Sequence, residues 1–358
     1  MSLFEDMAQY GYGEVHLVRD ERVGLRAIIA IHDTRRGPAL GGCRYVTYAN
    51  DDAAMADALR LARAMTYKAA LAGLPHGGGK SVILAPAGEH NRTALLTRFA
   101  RFVEALGGRY ITAEDSGTSL ADMELMRSAT RHVVGLGTAR GGSGDPSPFT
   151  ALGVRRGLEA CAASALGSSN LSGLHVAVQG VGHVGYNLCR ELVAAGARLT
   201  LADVHDELAA KAAAEFGASV VSAAEIHKVA CDVYAPCALG GALNDRTIPQ
   251  LRCKIVAGAA NNQLASDDNG VMLHARGILY APDYAINAGG LINVAQEVAG
   301  YDASVARART LKIYDTLREI SERAAATNTP PHRVADAMVQ EILAGQDSTR
   351  SSVTSPTR

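Results

Sequence analysis

His175-Val-Ala-Val-Gln179 runs straight into Gly180-Val-Gly182-His-Val-Gly185, and Tyr186 to Ala195 follows with helical character. A short apolar strand, a glycine turn and a helix in direct succession leave few folds open. The turn closes through backbone angles that glycine tolerates best. The helix start behind it gathers unpaired N–H groups and the positive end of the helix dipole, a seat for phosphate. A second strand, Arg198 to Asp203, ends in a carboxylate 18 residues beyond Gly185. Together these form a dinucleotide fingerprint, whose carboxylate accepts hydrogen bonds from ribose hydroxyls. Gly180, Val181, Gly182, His183, Val184, Gly185 and Asp203 are thus candidate cofactor contacts. Asp203 repels a 2′-phosphate, and Val204-His205-Asp206 brings no Arg or Lys beside it, so NAD is expected over NADP.

The fingerprint opens a series of strand–helix units. Strands are expected at Leu174–Gln179, Arg198–Asp203, Ser219–Val221, Val233–Ala235, Ile255–Ala257 and Ile278–Ala281. Strands and helices alternating at this length predict an α/β fold with a doubly wound parallel sheet covered on both faces. At 358 residues the chain suits two domains. A formal charge of -1 gives no electrostatic reason to expect nucleic acid or an anionic membrane. No basic-then-apolar leader and no long apolar run is present, and the six cysteines form no C-x-x-C. Reduced thiols, no metal site and a cytoplasmic location are the expectation. Residues 346–358, rich in Ser, Thr and Arg, are expected to be disordered.

The first half turns on Met65-Thr-Tyr-Lys68-Ala-Ala-Leu-Ala-Gly-Leu-Pro-His-Gly77-Gly-Gly-Lys80-Ser-Val-Ile83. Asp51 to Leu71 reads as an alanine-rich helix with Lys68 near its end. Leu74-Pro75-His76 and three glycines break it, and Ser81 to Leu84 restarts as a strand. Lys80 is expected where a flexible glycine backbone enters a rigid element. An apolar setting disfavours an ammonium, which is how a lysine becomes a base near neutral pH. A phosphate loop is the competing reading, but G-x-x-x-x-G-K requires glycine at 74, where Leu74 stands. Gly37-Pro-Ala-Leu40-Gly41-Gly42 reads as a turn-rich loop with exposed backbone. The strand at Arg109–Thr112 ends in Ala113-Glu114-Asp115, carboxylates at a strand-to-helix junction. Gly135 to Pro148 is punctuation, a domain boundary, hinge or lid, with a long helix from about Thr150.

With these blocks in view, the chain resembles the amino-acid dehydrogenases acting on glutamate, leucine, valine and phenylalanine, and among them the leucine dehydrogenases most. The resemblance runs from Leu3 to about Ile342. It rests on Ile28-Ile-Ala-Ile-His-Asp33, Gly37 to Gly42, the two-lysine block, Thr112-Ala-Glu-Asp115 and Gly144-Asp-Pro-Ser-Pro148. Tyr234 to Gly240, Gly258-Ala-Ala-Asn-Asn-Gln263 and Pro282 to Gly290 complete it. It implies an N-terminal α/β substrate-binding, catalytic and oligomerisation domain over 1–140, with C-terminal helices about 325–345 packing back on it. A Rossmann-type NAD-binding domain over 141–324 follows, with a cleft between the two.

The resemblance also implies roles. Lys80 matches the catalytic lysine, and Asp115 the aspartate that shuttles protons to and from the substrate amine. Lys68 matches the holder of the α-carboxylate, together with Gly41 and Gly42. Asn262 matches a residue near substrate and nicotinamide. Asn287, the segment from Ala235 to Leu239 with Ala238, and Ser147 and Thr150 in the loop facing the nicotinamide match cofactor contacts. Leu40, Met65, Ala113, Leu291 and Val294 match the pocket. Ser116 and His183 depart from the family pattern, which commonly has valine and asparagine there; His183 is expected at the surface.

Where glutamate-specific members carry a lysine for the side-chain carboxylate, this chain has Leu40. An apolar slot rejects a charged side chain, but one methylene is worth only ~1–3 kcal/mol. The expected reaction is reversible oxidative deamination of leucine, with isoleucine and valine also accepted, to the 2-oxo acid and ammonia. A phenylalanine, tryptophan or valine preference is the alternative within the family. A silent NAD-binding regulator is the alternative of another class, disfavoured by the retained Lys68, Lys80 and Asp115. A homo-oligomer is expected from the family.

Overall fold

The computed structural model describes residues 3–353. Two compact units divide the chain. One comprises residues up to Asp145, Val294–Ala303 and the stretch from Val339; the other comprises Pro146–Asn293 and Ser304–Met338.

The first unit contains α1 (Leu3–Tyr10), β1 (Glu14–Asp20), β2 (Leu25–Asp33), β3 (Ala39–Val46) and α2 (Asp51–Leu71). These are followed by β4 (Gly77–Leu84), α3 (Arg92–Ala105), β5 (Tyr110–Glu114) and α4 (Leu120–Arg127). The strands form a five-stranded mixed sheet in the order β1-β2-β4-β3-β5. β1 and β4 run antiparallel to β2, and β3 runs parallel to both β4 and β5. Alternate residues of each strand serve opposite faces. Ile29, Ile31, Cys43, Tyr45, Ile83 and Tyr110 share a buried cluster with Leu95, Phe99 and Val103 of α3 and Met123 and Met126 of α4. On the other face Ile28, Ala30 and Val82 pack with Ala54, Ala58 and Ala62 of α2. Asn50 caps α2 by accepting from the Ala53 amide at 2.8 Å, and Asp51 and Asp52 suit the dipole of its first turn.

Two expectations change here. The stretch 39–46 is not an exposed loop: it is a strand inside the sheet, with Leu40, Gly41 and Gly42 buried. The glycine run 77–79 is not a flexible break either. It is the buried start of β4. A Cβ on Gly77 would stand 1.7 Å from the Asp33 carbonyl oxygen, one on Gly78 2.0 Å from the Thr66 amide, and one on Gly79 2.8 Å from the Tyr110 ring. These residues are glycine because neighbours occupy the side-chain space.

Later segments complete this unit. The Glu297 carboxylate accepts from the backbone amides of Gly135 at 3.0 Å, Leu136 at 3.3 Å and Ser143 at 2.7 Å. Gln340 donates to the Tyr67 hydroxyl at 2.8 Å.

The second unit begins with α5 (Ser147–Leu166), β6 (His175–Gln179), α6 (His183–Ala194), β7 (Arg198–Ala202), α7 (Asp206–Phe216) and β8 (Ser219–Val220). β9 (Val233–Pro236), β10 (Ile255–Val256), α8 (Asp267–Ala275) and β11 (Leu279–Tyr280) follow. Helices α9 (Asp283–Ile286), α10 (Gly289–Ala295), α11 (Ala303–Leu311), α12 (Ile313–Thr327) and α13 (Pro331–Val353) end the described chain. Six parallel strands run in the order β11-β10-β9-β6-β7-β8, the doubly wound arrangement expected. Its switch point lies between β6 and β9, so the glycine turn after β6 stands where such sheets bind ligands. α13 reaches Val353, so the tail expected to be disordered from 346 is helical that far; residues 354–358 lie outside the described residues. All six cysteines are free thiols, three buried and three half-buried.

Candidate active site

Lys80 and Asp115 meet in an ion pair across the first sheet. Lys80 lies in β4 and Asp115 directly follows β5, with β3 between them. Adjacent strands stand about 4.8 Å apart, so the two side chains must bridge roughly twice that distance over the middle strand. Gly42 leaves the path clear. A Cβ there would lie 2.7 Å from the Asp115 Cβ and 2.9 Å from its Oδ2.

The lysine side chain is 4% exposed and the aspartate 18%, so the pair is largely withdrawn from water. Burial pushes the Asp115 carboxyl up, but Lys80, then Arg44 and the Ser116 amide, outweigh it and hold it down to about 2. Lys80 therefore does not sit in a purely apolar setting, as its flanks suggest; a carboxylate faces it. The turn after β5 fixes that carboxylate. Thr118 Oγ1 accepts from the Asp115 amide at 2.9 Å and donates to the Cys43 carbonyl at 2.9 Å. Ser116 contributes its backbone, an amide donated to Asp115 Oδ1 at 2.6 Å, while its side chain is exposed. Its departure from valine thus leaves this contact intact.

Arg44 escaped the sequence reading. It donates Nε to Asp115 Oδ1 at 3.1 Å and Nη1 to Asp57 Oδ2 of α2 at 2.7 Å. Once 39–46 is known to be a strand, period-2 alternation puts Arg44 on the same face as Gly42.

The other candidates of this unit are placed as follows. Lys68 lies in the last turn of α2, half-buried, and Met65 is half-buried one turn earlier. Gly78 brings α2 and β4 into contact at Thr66, two residues before Lys68 on the helix and two before Lys80 on the strand. Gly41 lies in the strand, its carbonyl accepting from the Tyr110 hydroxyl at 2.7 Å. Leu40 is 1% exposed and Val294 9%, whereas Ala113 keeps partial exposure.

In the second unit the glycines serve differently. Gly180 has φ +92°, and a Cβ on it would stand 2.8 Å from that of Ala238. A Cβ on Gly185 would lie 2.0 Å from the Gly180 carbonyl oxygen, so this glycine lets α6 approach the turn. Around Gly182 a Cβ meets nothing within 4 Å. That bare backbone fronts the start of α6, where no side chain caps the helix. Asp203 accepts from the Val181 amide at 2.8 Å and the His205 amide at 2.9 Å, tying the strand end to the turn. Val181 is buried, Val184 half-buried and His183 exposed. Asn287 is buried and donates to the Ala259 carbonyl at 3.0 Å and Asn261 Oδ1 at 2.8 Å, while its own Oδ1 is buried without a hydrogen-bond partner. Asn262 adopts φ 52°, and its amide reaches Asp283 Oδ2 at 2.5 Å. Leu291 is half-buried in α10. Ser147 and Thr150 are not in a loop: they form the first turn of α5, because Pro148 suits a helix start and Thr150 bonds the Pro146 carbonyl at 3.1 Å. The open space at Gly182, the uncapped helix start and the unmet Asn287 acceptor all fit a bound pyridine dinucleotide.

The chain matches the Glu/Leu/Phe/Val dehydrogenase dimerisation domain over residues 13–132. It matches the Glutamate/Leucine/Phenylalanine/Valine dehydrogenase model over 199–341. Leucine dehydrogenase of Geobacillus stearothermophilus is 49% identical, covering 98% of this chain and 96% of that protein. Valine dehydrogenase of Streptomyces albus is 46% identical over 94% and 93% of the two chains. The crystal structure of L-tryptophan dehydrogenase from Nostoc punctiforme superposes with a TM-score of 0.86 at 43% identity, covering 97% of this chain and all of the other. With these similarities over nearly its whole length, the chain belongs to the Glu/Leu/Phe/Val dehydrogenase family and is an amino-acid dehydrogenase.

Proposed function

We propose that this enzyme catalyses the reversible, NAD-dependent oxidative deamination of a branched-chain L-amino acid, leucine first, to the 2-oxo acid and ammonia. The observation that carries the chemistry is the withdrawn Lys80–Asp115 pair, bridged over a glycine in the middle strand. A bound pyridine nucleotide supplies the hydride acceptor. Gly180 to Gly185 and Asp203 would hold it, Asn287 would meet it with its free acceptor, and Ser147, Thr150, Ala238 and Asn262 would border it.

The side chains perform the acid–base work. Lys68 anchors the α-carboxylate together with the backbone of Gly41 and Gly42. Lys80 takes a proton from the water that attacks the oxidised α-carbon. Asp115 passes protons to and from the nitrogen as ammonia leaves. Contact between the two lets a proton cross without meeting solvent, and anchoring the carboxylate sets the α-carbon in place.

Apolar Leu40, Met65, Ala113, Leu291 and Val294 favour an aliphatic side chain and offer no cation to a second carboxylate. Similarity to leucine dehydrogenases at 48–49% identity supports the same substrate. A tryptophan-type substrate is the second reading, favoured by the 0.86 TM-score with the Nostoc enzyme. Absorbance at 340 nm over a panel of amino acids, with NAD and NADP in parallel, separates them. Leucine, isoleucine and valine with NAD are expected to lead. Tryptophan or phenylalanine ahead of all three would overturn the branched-chain assignment. Equal use of NADP would overturn the role given to Asp203.

A further inference from the structure

The two oxygens of Asp115 are held differently. Oδ2 faces Lys80. Oδ1 receives Arg44 Nε at 3.1 Å and the Ser116 amide at 2.6 Å. Arg44 is itself gripped from the other side by Asp57 of α2, through Nη1 at 2.7 Å. Asp57 is braced in turn, by the Tyr48 hydroxyl on Oδ2 at 2.7 Å and by Arg60 on Oδ1 at 2.7 Å. The Arg44 side chain is 23% exposed and that of Asp57 15%, so both are largely withdrawn from water. One planar fork thus spans two carboxylates, which a lysine's point charge cannot reproduce.

We propose that Arg44 is a positioning residue for proton transfer: anchored by Asp57, it fixes which oxygen of Asp115 faces Lys80 and keeps that carboxylate ionised between transfers. This rests on the reading that Asp115 carries protons in the reaction. The charged groups around Asp115 are Lys80 from β4, Arg44 from β3, and Asp57 and Arg60 from α2, which also bears Lys68 in its last turn. Glu114 lies on the opposite face of β5 by strand alternation. Without Arg44, Asp115 loses one of its two cations, and Asp57 faces it with no positive charge between them.

The test uses full-length enzyme with leucine and NAD, comparing wild type, Arg44→Gln, Arg44→Lys, Asp57→Asn and Asp115→Asn. Two readouts are taken: the pH profile of kcat, and the titration of the Asp115 carboxyl by carbon-13 NMR, its signal identified by loss in Asp115→Asn. In Arg44→Gln the titration and the acid limb of kcat are expected to rise by ~1–3 pH units, the effect of one neighbouring cation. Its kcat is expected to fall about 10²-fold, the cost of a misplaced group, with KM for leucine changing far less. Arg44→Lys keeps a charge without the fork, so the titration is expected to return toward wild type while kcat stays low. Asp57→Asn is expected to lower kcat while Asp115 still titrates low, and it serves if Arg44→Gln does not fold. An Asp115 carboxyl that titrates in Arg44→Gln as in wild type overturns the proposal. A shifted titration with wild-type kcat in Asp115→Asn would instead sink the proton-carrier reading, leaving the electrostatic role of Arg44 intact.

Discussion

Glycines build both halves of the machinery, by opposite means. Around Lys80 and Asp115 they are crowded: the space a Cβ would take at Gly42, Gly77, Gly78 and Gly79 belongs to other atoms of the chain. In the dinucleotide turn Gly182 is open, with nothing of the protein within 4 Å of a Cβ. A crowded glycine lets two parts of the protein touch, and an open one reserves room for something else. The first unit uses these glycines for close packing, at Gly42 against a buried ion pair; the dinucleotide turn crowds Gly180 and Gly185 but leaves Gly182 bare.

The sharpest way to break this contrast is to remove the charge that the crowded glycines serve. Lys80→Ala is expected to reduce kcat by ~10²–10⁴-fold and to abolish the basic limb of the deamination pH profile. Lys68→Ala is expected to raise KM for the amino acid with a smaller loss in kcat. Steady-state kinetics on both variants reverses the two roles if the effects are exchanged.

Gly42→Ala tests the crowding itself. Its methyl would meet the Asp115 Cβ at 2.7 Å and, at 2.9 Å, the Oδ2 that faces Lys80. A loss in kcat of about 10²-fold is expected from this displacement, with dinucleotide affinity unchanged by fluorescence titration. Wild-type turnover in this variant would show that the carboxylate does not depend on the gap.

The open glycine gives a milder and opposite pattern. Gly182→Ala is expected to leave the melting temperature close to wild type while weakening NAD binding. Gly180→Ala, at φ +92° and against Ala238, is expected to lower the melting temperature. Asp203→Ser is expected to weaken NAD by about 10-fold, near the ~1.5–3 kcal/mol of a hydrogen bond to a charged group, and to relieve the exclusion of NADP. Unchanged NAD and NADP constants would remove Asp203 from the ribose site.

The smallest effect is on stability in acid. The Asp115 carboxyl sits at about 2 in the folded protein against an ordinary 3.8, so its contribution is complete above about 4 and is lost as pH falls toward 2. Acid unfolding followed by circular dichroism is expected to be flatter over that interval in Asp115→Asn than in wild type.

The parallel sheet was legible because its signals are local: apolar runs between helices, and a turn whose residues adjoin in sequence. The roles of Lys80 and Asp115 were named by resemblance, but their contact was not read, since it joins β4 to the end of β5 over β3 and no local pattern encodes such a crossing. The strand at 39–46 was missed for a related reason. Gly37-Pro-Ala-Leu-Gly-Gly lacks the β-branched side chains that mark strands, and composition does not distinguish a glycine kept free from one kept small by its neighbours. Arg44 went unseen with it, because its alignment with Gly42 exists only once the strand does.

Glu297 carries a consequence for how the molecule is made. Its carboxylate secures the amides of Gly135, Leu136 and Ser143, and Gln340 secures Tyr67, so residues emerging late from the ribosome complete a unit whose sheet emerged first. The nascent first unit waits through synthesis of the whole nucleotide-binding sheet before these groups find their acceptor and donor. A fragment ending at Asp145 would carry Lys80 and Asp115 but leave those backbone amides without their carboxylate. The Lys80–Asp115 pair is encoded early in the chain, and the unit that carries it is completed only near the end.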